Sequence, residues 1–158
     1  KIVSVIRDMS RSKEWTDGAV ESRIVRELSP TTRINYHHAK TPWPLKDRDF
    51  VIKTEIQKIP AEKSVRILIE SIEDAEVPEA DCCVRGRILL STYVLTAEIP
   101  GKKTRVDISI QVDPKGTVPG WLVNLVQKAW PRKTLTGLRR QVAKLDIAPH
   151  PEYFGYFE

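Results

Sequence analysis

Two histidines, His37 and His38, stand side by side in the chain, and so do its two cysteines, Cys82 and Cys83. These residue types move protons, attack electrophiles or ligate metals. In a strand, neighbouring residues face opposite sides, so only one of the histidines can face an interior. Alternation with Tyr36 puts His38 on the face of Ile34. In an enclosed site it would act either as a general acid or base or as a polar lining or rim group. The sequence favours the second role and assigns no catalytic residue. It contains no Ser–His–Asp order, no nucleophile elbow and no glycine-rich phosphate loop. Seven glycines without a G-x-G-x-x-G run argue against a nucleotide fold. Adjacent cysteines rarely meet disulfide geometry, and neither has another cysteine to pair with. That argues against a stapled secreted scaffold and for a reducing cytoplasm. No His or Cys lies at ligand spacing from the pair, so neither a metal nor a cofactor is expected.

The charged residues are unevenly placed. The net charge is +5 over 158 residues. Between Pro114 and Leu145 there are seven bases and no acid, and the rest of the chain sums to −2. Such a stretch is a solvated face, an attraction to an anionic membrane worth about 1 kcal/mol per base, or a nucleic-acid contact. Nucleic acid is the least favoured. A reader of bases would place aromatic or amide groups beside its cations, whereas Trp121 and Trp130 fall with the leucines and are expected to pack inward.

These residues need elements to position them. Leu122, Leu125, Val126, Ala129 and Trp130 follow helical spacing, and Leu135, Leu138, Val142 and Leu145 continue the stripe. Pro119 suits a first helical turn. Pro131 removes one hydrogen bond and predicts a kink or short break. Upstream, period-two alternation predicts strands around 33–38, 50–57, 65–70, 87–99 and 105–112, with a weaker one over 19–28. Turn chemistry at Ser29-Pro30, Pro60-Ala61, Pro78-Glu79 and Pro100-Gly101 separates them. Six strands on short loops predict an antiparallel meander, and Ile2–Ile6 predicts the end of a short helix. The Thr41–Lys46 connection holds Trp43 between two prolines, with Leu45 behind. This tryptophan either caps the core edge or forms an exposed apolar tip.

A meander followed by a long amphipathic helix must pair its two layers. Any space left between them is a ligand cavity. The chain is long enough to bury roughly 70% of its unfolded surface. No apolar run approaches the ~18 residues of a membrane span. No signal peptide is visible. The chain opens at Lys1 inside an element, which implies a preceding segment.

VDPKGTVPGWLVNLVQKAWPRKTLTGLRRQV, residues 112–142, resembles the closing strand and C-terminal helix of StAR-related lipid-transfer (START) domains. PWPLKDRDFV at 42–51 resembles their proline-bearing loop and strand start. RDMSRSKEW at 7–15 resembles their Asp…Trp connection, and VRG at 84–86 a strand onset with an inward arginine. The motifs come in family order and together are specific. The resemblance implies an α+β helix-grip fold, a curved antiparallel sheet wrapped around the C-terminal helix with an internal cavity. That domain would span 1–147, lack its N-terminal helix and first strands, and be followed by an aromatic tail at 148–158. It implies a binding or transfer protein for a lipid or other apolar molecule, cytoplasmic and peripheral to membranes. The alternatives are a polyketide cyclase or aromatase of the same fold, or a ligand-sensing regulatory module. The resemblance also implies a Glu21–Arg85 pair inside the cavity. Its expected lining is then Glu21, Tyr36, His38, Arg85, Leu122, Leu125, Val126 and Leu138. Trp43, Leu45, Lys128, Arg132, Lys133 and Arg140 would form a gate that opens at an anionic membrane surface.

Overall fold

The computed structural model describes residues 1–100 and 102–156, and for residues 125 and 126 the backbone only. The expected places of Leu125 and Val126 in the cavity therefore lie outside the described residues. So do Gly101 of the predicted turn and Phe157 of the tail.

A short helix α1 (Ile2–Arg7) and a 3-10 segment (Met9–Glu14) precede seven strands: β1 (Ala19–Ser29), β2 (Thr32–Ala39), β3 (Asp47–Ile59), β4 (Ser64–Ser71), β5 (Cys83–Arg85), β6 (Arg87–Ile99) and β7 (Lys103–Asp113). The long helix α2 (Gly120–Val142) follows. The order is β1-β2-β3-β4-β6-β7, with β5 set against β3. Successive strands pair antiparallel, as the alternating pattern requires. The strand onset expected at 84–86 proves to be a separate short strand, β5, which runs parallel to the start of β3, Asp47 opposite Cys83 and Asp49 opposite Arg85. β3 has thirteen residues, long enough to pair β4 over Ile52–Ile59 and β5 nearer its start.

The main core lies between the sheet and α2. Ile56, Val65, Ile67, Tyr93 and Leu95 meet Val5, Ile6, Trp15 and Leu138 there. We call this the inner face. The outer face carries a second, smaller core of Ile34, Tyr36, Val51 and Val77, covered by the segment that follows β4.

Three expectations about α2 change. The helix runs through Pro131 without a break, because the one carbonyl that proline frees belongs to solvent-exposed Gln127. Pro119 is the cap residue, with φ −60 and ψ 140, rather than the first helical residue. Trp121 is 58% exposed and Leu145, beyond the helix end, is wholly exposed, so the apolar stripe is shorter than its spacing suggested. The tail folds back. Tyr153 joins the main core, as does Ile147 just before the tail, and the Tyr156 hydroxyl donates to the Ser64 carbonyl at 3.3 Å.

Candidate functional site

The C-terminal half of α2 is locked to the body. Leu138 is buried in the core beside Trp15. Gly137 lies against the Trp15 backbone so closely that a Cβ would collide with its carbonyl oxygen and come within 2.9 Å of its carbonyl carbon. Glu14 gathers three donors: Arg11 Nε at 2.6 Å, Lys144 Nζ at 2.6 Å and Gln141 Nε2 at 2.9 Å. Arg11 foremost, then Lys144 and Gln141, hold the Glu14 carboxyl far below the usual carboxylate range. Lys133 Nζ donates to Asp17 at 3.0 Å, so one of the expected membrane-facing bases is an intramolecular partner.

Among the described residues no comparable latch holds the N-terminal half. Among its described side chains Leu122 is buried, while Val123, Ala129 and Trp130 are half-buried. On the sheet, the inner face toward β1 and the start of β3 carries Ile24, Phe50 and Ile52, and Ile24 is 40% exposed. Gly86 leaves room for the Phe50 ring, since a Cβ there would meet it. Among these apolar groups His37 Nδ1 and Ser22 Oγ share a hydrogen bond of 2.9 Å. His37 is half-buried with protein atoms crowded around it, and burial pushes its imidazole down to about 4. The imidazole is therefore neutral at pH 7, a polar lining group and not a cation. Tyr93, deeper on the same face, is pushed up to about 12 by burial.

This reverses the assignment of faces. Glu21, Tyr36, His38 and Arg85 all lie on the outer face: Glu21 is opposite His38, Tyr36 packs with Val51, and Arg85 is opposite Asp49. A ligand under α2 would meet none of them. The reason is that β2 and the start of β3 are buried on both sides, so apolar alternation does not reveal which side faces the helix. Glu21 and Arg85 do not pair. Glu21 accepts from Arg23 Nε at 3.1 Å, and Arg85 grips Asp49 with Nε at 3.0 Å and Nη2 at 2.9 Å. Burial first, then the Asp49 and Glu21 carboxylates, raise the Tyr36 hydroxyl above its usual range. The bidentate bond to Asp49 keeps the Arg85 guanidinium protonated.

The Thr41–Lys46 loop presents Trp43 at 91% exposure, which settles the two readings in favour of an apolar tip. Leu45 is half-buried behind it, and the Trp43–Pro44 peptide is cis. Sequence reasoning missed the side chain that ties this loop to the helix. Arg48 is buried on the inner face. It donates to the Lys46 carbonyl at 2.6 Å, the Pro114 carbonyl at 3.0 Å and the Lys115 carbonyl at 3.0 Å. One guanidinium thus joins the base of the Trp43 loop to the turn that launches α2, where Lys115 and Gly116 take positive φ. Replacing Arg48 with alanine strands three carbonyls at once. We expect a loss of about 3 kcal/mol in urea unfolding and faster hydrogen exchange at residues 114–122. An unchanged midpoint would mean the clamp holds nothing.

A recess of about 410 Å³ opens at the other end of the sheet, between the tail and the β6–β7 hairpin, lined by Ile2, Leu95, Ile99, Thr104 and Phe154 among others. Among the described residues, none of those expected to line the cavity reaches it. Cys82 and Cys83, against the sequence expectation, are bonded to each other as neighbours. His38, far away in sequence, lies beside both sulfurs.

The whole arrangement has counterparts. A family model for the START domain matches residues 2–145. The chain belongs to the START domain family. Human START domain-containing protein 10 is 27% identical over 123 residues, 78% of this chain and 41% of that protein. Mouse phosphatidylcholine transfer protein is 28% identical over 130 residues, 80% of this chain and 59% of that protein. The chain thus spans about half the length of the curated relatives it matches. The crystal structure of human STARD10 superposes with a TM-score of 0.80 at 23% identity, covering 91% of this chain and 58% of that one. A STAR-related lipid transfer protein fragment from Xanthomonas axonopodis gives 0.73 at 24%, over 90% and 78%. Both share the START fold. In this START chain no helix of the described residues is long and apolar enough to cross a membrane.

Proposed function

We propose that the chain binds a lipid between the inner face of the sheet and the N-terminal half of α2, and passes it to or from membranes. The observation that carries this is the asymmetry of α2. One half is latched by Gly137, Glu14 and Asp17, and the other carries no such latch among the described residues, while the inner face toward β1 mixes Ile24, Phe50 and Ile52 with Ser22 and His37. The names of two relatives, a phosphatidylcholine transfer protein and a lipid transfer protein, support a lipid as cargo. Removing about 400 Å² of apolar ligand surface from water contributes on the order of 10 kcal/mol before the costs of association. Affinity then needs few polar contacts, and His37 and Ser22 stand ready to make them. No chemical step is assigned.

Native mass spectrometry of the purified chain tests the reading, with a co-purified or added lipid expected at one per chain. Ile24→Arg places a charge on the half-exposed inner wall and should cut lipid uptake at least about tenfold. Ile99→Arg, in the recess at the far end, should leave it unchanged. Uptake blocked by Ile99→Arg and not by Ile24→Arg would move the site to the recess. A chain that never takes up lipid would end the reading.

The delivery surface combines Trp43 and Leu45 with Lys128, Arg132 and Arg140, which are exposed and have no ion pair among the described residues. Lys133 joins them only when it leaves Asp17. We expect Trp43→Ala to slow vesicle-to-vesicle transfer severalfold while lipid affinity holds. Binding to anionic vesicles should weaken between 0.05 and 0.5 M salt, on the order of a Debye-length effect. Equal losses of transfer and affinity, or salt-insensitive binding, would remove these residues from that role.

A further inference from the structure

The outer face holds a cluster that lipid binding does not use. Cys83 opens β5, opposite Asp47, and Cys82 sits in the turn before it. In a regular strand, adjacent side chains point apart. Here the turn brings both sulfurs to one point. A ring nitrogen of His38 and the two Sγ atoms lie within 4.8 Å of one another, with Cys82 exposed, His38 half-buried and Cys83 buried. His38 Nε2 is 2.9 Å from Asp47 Oδ2, which leaves Nδ1 as the ligand nitrogen. The Thr41 amide donates to the other Asp47 oxygen at 3.0 Å, and Lys40 Nζ reaches Oδ2 at 3.4 Å.

We propose that, with the disulfide reduced, Cys82, Cys83 and His38 bind one thiophilic divalent cation of the zinc class. Two thiolates and an imidazole are the soft and borderline donors such ions select. Tetrahedral Zn–S and Zn–N bonds of about 2.3 and 2.0 Å need donor atoms roughly 3.5–4 Å apart, so once reduced the two sulfurs must move apart, with the imidazole nitrogen already within 4.8 Å of both. Asp47 orients the imidazole from behind, the outer-shell role that raises ligand basicity. Exposed Cys82 is the entry path, and the fourth position is open to water. Binding displaces the two thiol protons to solvent. An external disulfide or peroxide takes one electron from each thiolate, forms the Cys82–Cys83 bond and releases the cation, and thiol–disulfide exchange with an external dithiol restores both ligands, so metal and disulfide exclude each other. The cation would pin β5 to β2 beside the root of the Trp43 loop, without touching the inner face.

The test is an anaerobic cobalt(II) titration of the whole reduced chain, after a thiol assay confirms two free thiols. Thiolate-to-cobalt charge transfer and tetrahedral d–d bands should rise to one equivalent, and zinc(II) should bleach them. The oxidised chain should show neither. Cys82→Ser, at an exposed position, should abolish tight binding. His38→Gln should weaken it at least about tenfold and Asp47→Asn about 10–100-fold. Circular dichroism and urea midpoints without metal check that each variant folds. Reduced chain lacking the bands at stoichiometric cobalt would overturn the proposal. So would a folded His38→Gln variant that binds as tightly as the unsubstituted chain, because that would reduce the site to two surface thiols.

Discussion

Gly137→Ala is expected to destabilise the protein by about 2 kcal/mol, although alanine is the better helix former. Propensity alone would favour alanine by about 1 kcal/mol. The added methyl, however, has nowhere to go: it meets the carbonyl of Trp15, and the obstruction is backbone and not a movable side chain. Overfilling a packed contact costs about 1–3 kcal/mol, and the upper part of that range applies where backbone must shift. Urea unfolding gives the size of the effect. Hydrogen exchange gives its place: α2 amides should lose protection while β3 and β4 keep theirs. A Gly137→Ala chain as stable as the unsubstituted one would show that the helix is not held against Trp15.

The second large effect is expected at Asp49. Its carboxylate is 1% exposed and receives both Nε and Nη2 of Arg85. Arg85 also donates to the carbonyls of Val77 and Pro78 at 3.2 and 3.0 Å. Asp49→Ala leaves a mostly covered guanidinium without its counter-charge, a change that costs about 3–5 kcal/mol. The segment over the outer core should loosen first, because Arg85 fastens it. Replacing both members, as Asp49→Leu with Arg85→Met, should recover much of the loss, since an apolar pair of similar shape can match a buried ion pair. If Asp49→Ala unfolds at the same urea concentration as the parent, the pair is ornamental to stability. If the double variant is the worse of the two, Arg85 matters chiefly for its carbonyl bonds.

Much of this fold is legible in the residues. The β7 alternation of Val106, Ile108 and Ile110 stands out because one side is wet, and the helix stripe is readable wherever Leu122, Leu138 and Val142 define it. The site was harder. Ile34, Tyr36 and Val51 look like inward residues, and they are buried, but in the outer core. Where a strand is covered on both sides, hydrophobicity marks burial without marking direction. Hence His38 was expected where His37 stands. The run Arg48-Asp49-Phe50-Val51 resembles a strand start, yet the resemblance did not mark Arg48 and Asp49 as buried, each bonded to partners distant in sequence. Their phase with Phe50 and Val51 was the available signal. The Cys82–His38 encounter had none, because β5 reaches β2 only through the parallel pairing with β3.

The latch on one half of α2 gives the helix the mechanics of a pivoted beam. Its fastened end begins near Thr134, and Pro131, lacking one backbone bond, stands just ahead of it. From Pro131 to Gly120 the free arm measures roughly 16 Å at about 1.5 Å per residue. A tilt of about 10° at the pivot lifts the far tip by roughly 3 Å, most of the width of an acyl chain, with every other hydrogen bond of the helix intact. The tip is also where Arg48 fastens the Pro114–Lys115 turn. Arg48 thus ties down the turn that leads into the long arm and opposes tilting from the end farthest from the pivot.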